Sequence, residues 1–136
     1  MRSGPGTVVD SSVLLDVFTD DPRWGAWSQE RLTEAAGRGA IVLNPVVLAE
    51  VAPRFSRLEA LRSALPSMAM IEDVPVAGAF LAGHAHAAYR RAGGSHTAVL
   101  PDFLIGAHAA VSGRPLLTRD PHRVAAHIPG ARLIAP

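Results

Sequence analysis

The 136-residue sequence contains no cysteine and no lysine, and each absence narrows what the protein can do. Without cysteine it has no disulfides, no zinc–thiolate sites and no thiol nucleophile. Without lysine, all 13 basic residues are arginines, which suit bidentate contact with phosphate groups better than lysines do. The 12 acidic residues leave a formal net charge of +1, so overall charge does not indicate a nucleic-acid-binding protein.

Long apolar runs are also missing from the sequence. No stretch approaches the ~20 apolar residues that a membrane-spanning helix needs. The first ten residues, MRSGPGTVVD, lack the apolar segment of a signal peptide. We therefore expect a cytoplasmic protein that does not contact membranes. Aromatic residues are only 5% of the chain and its apolar residues are largely Ala, Val and Leu, which favours helices packed on a sheet.

Short β-branched runs alternate with helical patterns along the whole sequence. The predicted strands are residues 7–10, 40–43, 68–71, 115–118 and 132–135. The predicted helices are residues 13–18, 23–37, 45–53, 54–65, 76–92, 100–111 and 122–128. This alternation predicts one domain, residues 1–136, with an α/β fold. We expect a three-layer α/β/α sandwich with a central, mostly parallel sheet of four to five strands.

The sequence also predicts how the first helix is capped and which face of the longest helix is buried. Ser11 and Ser12 are predicted to cap the first helix, since hydroxyl side chains accept hydrogen bonds from free amides at helix starts. The long helix 76–92 is predicted to bury an apolar stripe that includes Val76, Phe80 and Ala87.

The stretch NPVVLAEVAP, residues 44–53, contains a single charge, that of Glu50. Asn44 and Pro45 make a favourable helix start, with Asn as N-cap and Pro at the first helical position. A carboxylate in such an apolar helix is costly where it is buried and unremarkable where it is exposed. The positions of the other acids therefore decide how Glu50 is interpreted.

Three aspartates follow predicted strands or open the helices beside them. Asp10 ends the first strand, Asp120 lies just beyond the fourth, and Asp102 opens the helix that leads into the fourth. Ligands of open α/β sheets bind beyond the carboxyl ends of the strands. Together with Glu50, these acids would form an all-oxygen site, which suits Mg²⁺ or Mn²⁺ rather than zinc. Taken singly, each acid also has an ordinary structural explanation, such as helix capping or exposure to solvent.

The contexts of these acids match a known family. The stretches VVDSSVLLDVF, NPVVLAEVA, LPDFLIGAHAA and PLLTRDP resemble the PIN-domain family in order and spacing, over residues 8–121. More narrowly, they resemble the VapC group, the toxin nucleases of type II toxin–antitoxin systems. The sequence departs from the group's pattern in having Ser11 and Ser12 where Thr-Asn is frequent, and in having no lysine.

The resemblance implies a role for individual residues. The four family acids, which would be catalytic and would bind the metal, fall on Asp10, Glu50, Asp102 and Asp120. Two hydroxyl residues would support that site, Thr118 in the T-x-D stretch and Ser12 near the metal. The arginines nearest the site in sequence, Arg119 and Arg123, are candidates for RNA contact.

The resemblance also implies an activity and partners. The expected activity is that of a Mg²⁺- or Mn²⁺-dependent endoribonuclease that leaves 5′-phosphate and 3′-hydroxyl ends on its RNA substrate. The expected state is a homodimer, inhibited by a small antitoxin that blocks the acidic pocket and binds operator DNA. Two alternatives stay open: a non-catalytic PIN module that binds RNA or protein, and a PIN nuclease that processes RNA without an antitoxin.

The six histidines do not show the spacing of a metal or acid–base site. His84 and His86 are two residues apart on a predicted helix, so they do not share a face. His108 is expected on a helix surface or as a hydrogen-bonded core residue. His96 has no partner at a recognisable spacing.

Overall fold

A computed structural model describes residues 6–95 and 99–136, and His96 lies outside these described residues. The described part of the chain forms one five-stranded sheet in the order β3-β2-β1-β4-β5. Every pairing is parallel, with β1 at the centre between β2 and β4. The strands are β1 (Gly6–Val9), β2 (Ala40–Leu43), β3 (Met70–Ile71), β4 (Leu116–Leu117) and β5 (Leu133–Ile134).

Seven α-helices in the described residues connect and cover these strands, which confirms the predicted three-layer α/β/α architecture. They are α1 (Ser11–Phe18), α2 (Gly25–Arg38), α3 (Pro45–Val51), α4 (Leu58–Ala64), α5 (Val76–Arg91), α6 (Leu100–Ser112) and α7 (His122–His127). None of these helices has both the length and the apolar character needed to cross a membrane.

The helix predicted over residues 54–65 is shorter in the structure and begins only at Leu58. After α3 the chain makes a short 3₁₀ turn, Ala52–Arg54, and is extended at Phe55 before α4 begins at Leu58. Pro53 explains the break, because proline lacks the amide hydrogen that would continue the helix and clashes with the preceding turn. Phe55 packs edge-on against Phe18, with 5.4 Å between ring centroids.

The apolar stripe predicted for α5 is wrong. Val76 is 88% exposed and Phe80 is 71% exposed. The buried residues of this helix are small: Gly78, Ala82 and Ala85. Small side chains let α5 pack closely against α6, and Val76 and Phe80 are left on the exposed face.

The core lies between the sheet and its helices, and its branched strand residues meet one large aromatic, Phe103, which is fully buried on α6. Close packing of α7 on α6 depends on Gly106. A Cβ atom at this position would come within 2.8 Å of Val124 on α7. Gly106 therefore fixes where α7, and with it Arg123, stands relative to the start of α6.

Candidate active site

The four predicted site acids lie toward one end of the sheet. Asp10 directly follows β1 and precedes the first residue of α1. Asp120 follows β4 by three residues, Glu50 is on α3 after β2, and Asp102 is in the first turn of α6. Because parallel strands end at the same edge, the loops after β1, β2 and β4 converge there.

Asp10 is hydrogen-bonded by hydroxyls from two strand ends. Its Oδ2 accepts from Ser12 Oγ at 2.9 Å and from Thr118 Oγ1 at 2.8 Å. Burial raises the pKa of Asp10, while these two hydroxyls, which favour the ionised form, oppose the rise. Ser12 and Thr118 are thus the residues that fix the orientation of this carboxylate.

The prediction that Ser11 and Ser12 cap α1 is wrong. Asp10 is the N-cap residue, and α1 has no side-chain cap hydrogen bond. Ser12 Oγ donates to Asp10, and Ser11 Oγ donates to Glu50 Oε1 at 2.8 Å. Hydrogen bonds to an ionised carboxylate are stronger than those between neutral groups, so both hydroxyls turn toward the acids.

Glu50 is partly buried, which answers the question that its apolar surroundings raised. Its helix starts as predicted: Asn44 Oδ1 accepts from the amide of Val47 at 2.9 Å. Burial raises the pKa of Glu50, the charge of Asp10 raises it further, and the bond from Ser11 opposes both. The helix therefore holds a carboxylate in a place where its ionised form is disfavoured.

Asp102, in the first turn of α6, also has a raised pKa. Burial, followed by the charges of Asp10 and Glu50, raises the pKa of Asp102 to about 6. The opposing group is Arg123 on α7, whose Nη1 lies 3.3 Å from Asp102 Oδ2. Arg123, one of the two arginines predicted for RNA contact, is thus the charge partner of Asp102.

Asp120 is the most exposed acid of the four, with 62% of its side chain accessible. Its amide donates to Thr118 Oγ1 at 3.0 Å, which closes a tight turn after β4. Its Oδ1 lies 3.5 Å from Arg119 Nη1. After burial, the charge of Asp120 also contributes to the raised pKa of Asp10.

The chemistry of this donor set suits a hard divalent cation. Oxygen ligands dominate, and the raised pKa values of three carboxylates show that positive charge is in short supply. In this arrangement, however, no group of three acidic or histidine side chains within residues 6–95 and 99–136 is placed to hold a metal ion. Glu50 is turned to Ser11 and Asp102 to Arg123, so both would have to exchange these contacts for the metal.

A buried carboxylate that the sequence analysis overlooked lies next to this site. Asp16, on α1, is 2% exposed and accepts from Arg119 Nε at 2.9 Å and Nη2 at 3.1 Å. Ser28 Oγ on α2 donates to the same carboxylate at 2.7 Å. Asp16 interrupts the apolar run VLLDVF just as Glu50 interrupts its own helix, and that pattern could have indicated a buried role.

Arg119 is therefore held mainly by Asp16. Its hydrogen bonds to Asp16 raise the pKa of the guanidinium, and its backbone amide donates to Ser12 Oγ at 3.1 Å. The ring of Trp24 lies 5.9 Å from the guanidinium carbon. These contacts anchor residues 118–120 to α1.

Three of the histidines make their contacts away from the four acids. His84 stacks on Phe80 at 4.5 Å, and His86 lies beside Phe103 with its Nε2 buried and without a hydrogen-bond partner. His108 is fully buried and hydrogen-bonded, in agreement with one of its two expected environments.

Asp102→Asn should stabilise the metal-free protein near neutral pH. The pKa of Asp102 is 3.8 in its ordinary state and about 6 in the fold, so its ionised form opposes folding above pH 6. Because the side chain is one-third exposed and pairs with Arg123, we expect a gain of only about 1 kcal/mol. Urea unfolding in EDTA measures it.

The pH dependence provides the control for this prediction. The gain should shrink as the pH falls through 6 and vanish below about pH 4, where Asp102 is protonated in both folded and unfolded chains. An asparagine variant that is less stable than the unsubstituted protein at pH 7.5 would contradict it.

A model of the PIN domain matches residues 7–127. This match covers most of the sequence, and the chain belongs to the PIN-domain family. The family resemblance that the four acidic stretches indicate is therefore confirmed. No protein with a curated description matches the sequence.

Solved structures with this fold include VapBC complexes. VapBC2 from Rickettsia felis, solved with a promoter DNA fragment, has a TM-score of 0.71 and 19% identity, covering 96% of this chain and 98% of that one. DNA-bound VapBC from Salmonella typhimurium has a TM-score of 0.70 and 20% identity, covering 97% and 98%. VapC20 from Mycobacterium tuberculosis, a toxin that cleaves the sarcin–ricin loop, has a TM-score of 0.61 and 16% identity, covering 89% and 95%. At these identities the likeness establishes the fold.

Proposed function

We propose that the protein is a Mg²⁺- or Mn²⁺-dependent endoribonuclease that acts as the toxin of a VapBC-type pair. The observation that carries the proposal is the set of four acids beyond the strand ends, three of them with raised pKa values. Carboxylates that repel one another and resist ionisation are suited to a site that gains a cation during function.

Asp10, Glu50, Asp102 and Asp120 would hold the metal. A divalent ion bound there would supply an activated water and neutralise charge on the scissile phosphate. Ser12 and Thr118 keep Asp10 in one orientation through their hydroxyls. Ser11 donates a hydrogen bond to the Glu50 carboxylate, which would exchange this bond for the metal ion when the ion binds.

Arg119 and Arg123 differ in how free their guanidinium groups are to contact RNA. Arg123 makes one ion pair, 3.3 Å long, with Asp102, and more than a third of its side chain is exposed. Once Asp102 bound the metal ion, the Arg123 guanidinium would be free to contact a phosphate of the RNA. Arg119 is held by the buried Asp16 through two of its nitrogens, so we assign it mainly to positioning.

The proposed antitoxin requires an apolar surface close to the acidic site. A groove of about 280 Å³ lies between α1, α2 and α4, and Leu14, Phe18 and Leu32 line it. Helix α1 runs from Asp10 to this groove, so one bound segment could cover the groove and reach the acids. VapBC complexes among the structural neighbours support a partner of this kind.

The proposed homodimer has its own candidate surface. Exposed apolar side chains cluster in sequence at the edge strand β3 and the start of α5: Met70, Ile71, Val76 and Phe80. An edge strand with unpaired backbone groups beside apolar side chains favours association. A second copy of the chain would cover it.

One observation favours a different function. Among the described side chains no three acids or histidines are arranged as a ready metal site, and Arg123 neutralises Asp102. A non-catalytic PIN module that binds RNA or protein would have this property. Metal-dependent turnover separates the two functions.

The test is cleavage of total RNA by the purified protein, free of antitoxin, in Mn²⁺ or Mg²⁺ and in EDTA. We expect discrete cuts with 5′-phosphate ends that disappear in EDTA. For variants of the four site acids, Glu34→Gln is the matched control, because Glu34 is an exposed acid on α2 that pairs with Arg31. It should cleave like the unsubstituted protein. Folded protein that cuts no RNA in either metal would favour the binding module.

The role as a toxin is tested separately from the nuclease activity. If a short neighbouring reading frame encodes the antitoxin, adding its product should abolish the cuts. Cleavage that persists with that product present would indicate a PIN nuclease that works without an antitoxin.

A further inference from the structure

A buried polar cluster lies between α3, α6 and the end of β3. His108 and Asn44 are fully buried, and 2.9 Å separates His108 Nδ1 from Asn44 Nδ2. His108 Nε2 lies 2.7 Å from Glu72 Oε1, and Arg114 Nη1 lies 2.6 Å from the same oxygen. Four side chains from different parts of the sequence thus form one chain of hydrogen bonds.

The hydrogen-bond directions in this cluster follow from the start of α3. Asn44 Oδ1 already accepts from the amide of Val47, so its Nδ2 faces His108 as a donor. His108 Nδ1 must therefore accept, and the proton on Nε2 is donated to Glu72. Reversing the Asn44 amide would remove the cap of α3, so the arrangement has one orientation.

The cluster and the acidic site lie at opposite ends of the same helix pair. Helices α3 and α6 pack on each other. Asn44 precedes Glu50 by six residues, and His108 follows Asp102 by six residues. Asn44 contacts His108. From this contact Glu50 lies six residues further along α3, and Asp102 lies six residues back along α6.

We propose that His108 is a positioning residue for the metal site: its hydrogen bond to Asn44 fixes how far α3 is shifted along α6, and thereby sets the separation of Glu50 from Asp102. The inference rests on the proposed function, since it assigns these two acids to one metal. Six helical residues span only about 9 Å, so a shift at the cluster reaches the acids almost undiminished.

An apolar residue would fill the place of His108 without burying an imidazole that needs a hydrogen-bond partner at each nitrogen. Buried polar groups are costly unless every partner is satisfied, whereas apolar contacts tolerate small displacements between helices. A hydrogen bond has a fixed length and direction, so it does not tolerate such displacements. A position that must fix the shift between α3 and α6 therefore needs a hydrogen-bonding side chain. Its neighbours on α6, Ala107 and Ala109, are buried and small, so they leave the spacing to His108.

Three substitutions of His108 separate positioning from general stability. In His108→Asn the amide oxygen takes the place of Nδ1 and keeps the bond from Asn44. In His108→Gln the amide reaches the place of Nε2 and keeps the bond to Glu72 but not the bond to α3. His108→Leu loses both. Leu61→Ala, a core substitution on α4, controls for loss of stability alone.

The measurement is the Mn²⁺ dissociation constant by calorimetry, at a temperature at which every variant is folded. We expect His108→Gln and His108→Leu to weaken Mn²⁺ binding about tenfold, and His108→Asn and Leu61→Ala to stay within about threefold of the unsubstituted protein. In RNA cleavage the loss should fall on kcat, with KM for RNA unchanged, because the cluster does not face the substrate.

The outcomes distinguish this inference from the proposed function. If the unsubstituted protein binds Mn²⁺ and His108→Gln binds it equally well, the positioning role is wrong while the nuclease proposal stands. If His108→Asn weakens binding as much as His108→Gln, the bond to Asn44 is not what matters, which also overturns it. An unsubstituted protein that binds no Mn²⁺ overturns the proposed function itself. Should His108→Leu fail to fold, the Asn and Gln variants decide alone.

Discussion

Asp10→Asn should reduce metal-dependent RNA cleavage by a factor of about a hundred to a thousand. Asp10 lies directly after the central strand β1, and after burial its charge is among the causes that raise the pKa values of Glu50 and Asp102. The asparagine oxygen still accepts from Ser12, so the fold should persist while the negative charge is lost. Cleavage rates in Mn²⁺ with the end-mapped RNA substrate measure the effect.

A second readout of the same variant does not depend on activity. Removing the charge of Asp10 should lower the pKa of Asp102 from about 6 toward its ordinary value, as followed by NMR titration in EDTA. Full cleavage by Asp10→Asn would show that Asp10 is not a metal ligand. An unchanged pKa of Asp102 would show that the two carboxylates are not close enough to share an ion.

The arrangement of the sheet could be predicted from sequence because its strands are short, apolar and separated by clear helix signals. The predicted strand 40–43 matches β2, and Asn44 caps α3 as expected. A parallel sheet follows from the alternation of strands and helices, and the structure confirms it. Strand pairing order was not predictable, since β1 lies between β2 and β4 through contacts distant in sequence.

The faces of helices were harder to predict than their positions. Helix α5 has apolar residues all round, so hydrophobic periodicity does not indicate which side is buried. The deciding property was size: Gly78 and Ala82 allow a close approach to α6, and Phe80 does not. Hydrophobicity alone therefore assigned Val76 and Phe80 to the wrong face.

The acids of the candidate site could be named from sequence, but their partners could not. Ser11 and Ser12 are good capping residues, and only the position of Glu50, 39 residues away from Ser11, shows why they do not cap. The pairing of Asp102 with Arg123 depends likewise on how α7 packs against α6 at Gly106. Such contacts are set by tertiary packing, which local patterns do not encode.

Removal of the buried ion pair next to the site should give the largest loss of stability. Asp16→Ala leaves the hydroxyl of Ser28, which is fully buried, without its acceptor and deprives Arg119 of its main partner. Arg119→Ala leaves a carboxylate that is 3% exposed with only one hydrogen bond. Breaking one side of such a pair costs about 3–5 kcal/mol, and we expect either variant to lose that much in urea unfolding.

The double variant tests whether the pair is the cause. Once Asp16 is gone, loss of Arg119 should cost little more, so the double variant should be far less destabilised than the sum of the two. Arg31→Ala is the matched control, because Arg31 pairs with the exposed Glu34 on α2 and should lose at most about 1 kcal/mol. Additive losses in the double variant would mean that Asp16 and Arg119 stabilise the fold independently. In that case the anchoring of residues 118–120 to α1 would rest on the bonds of Ser12 and Thr118 alone.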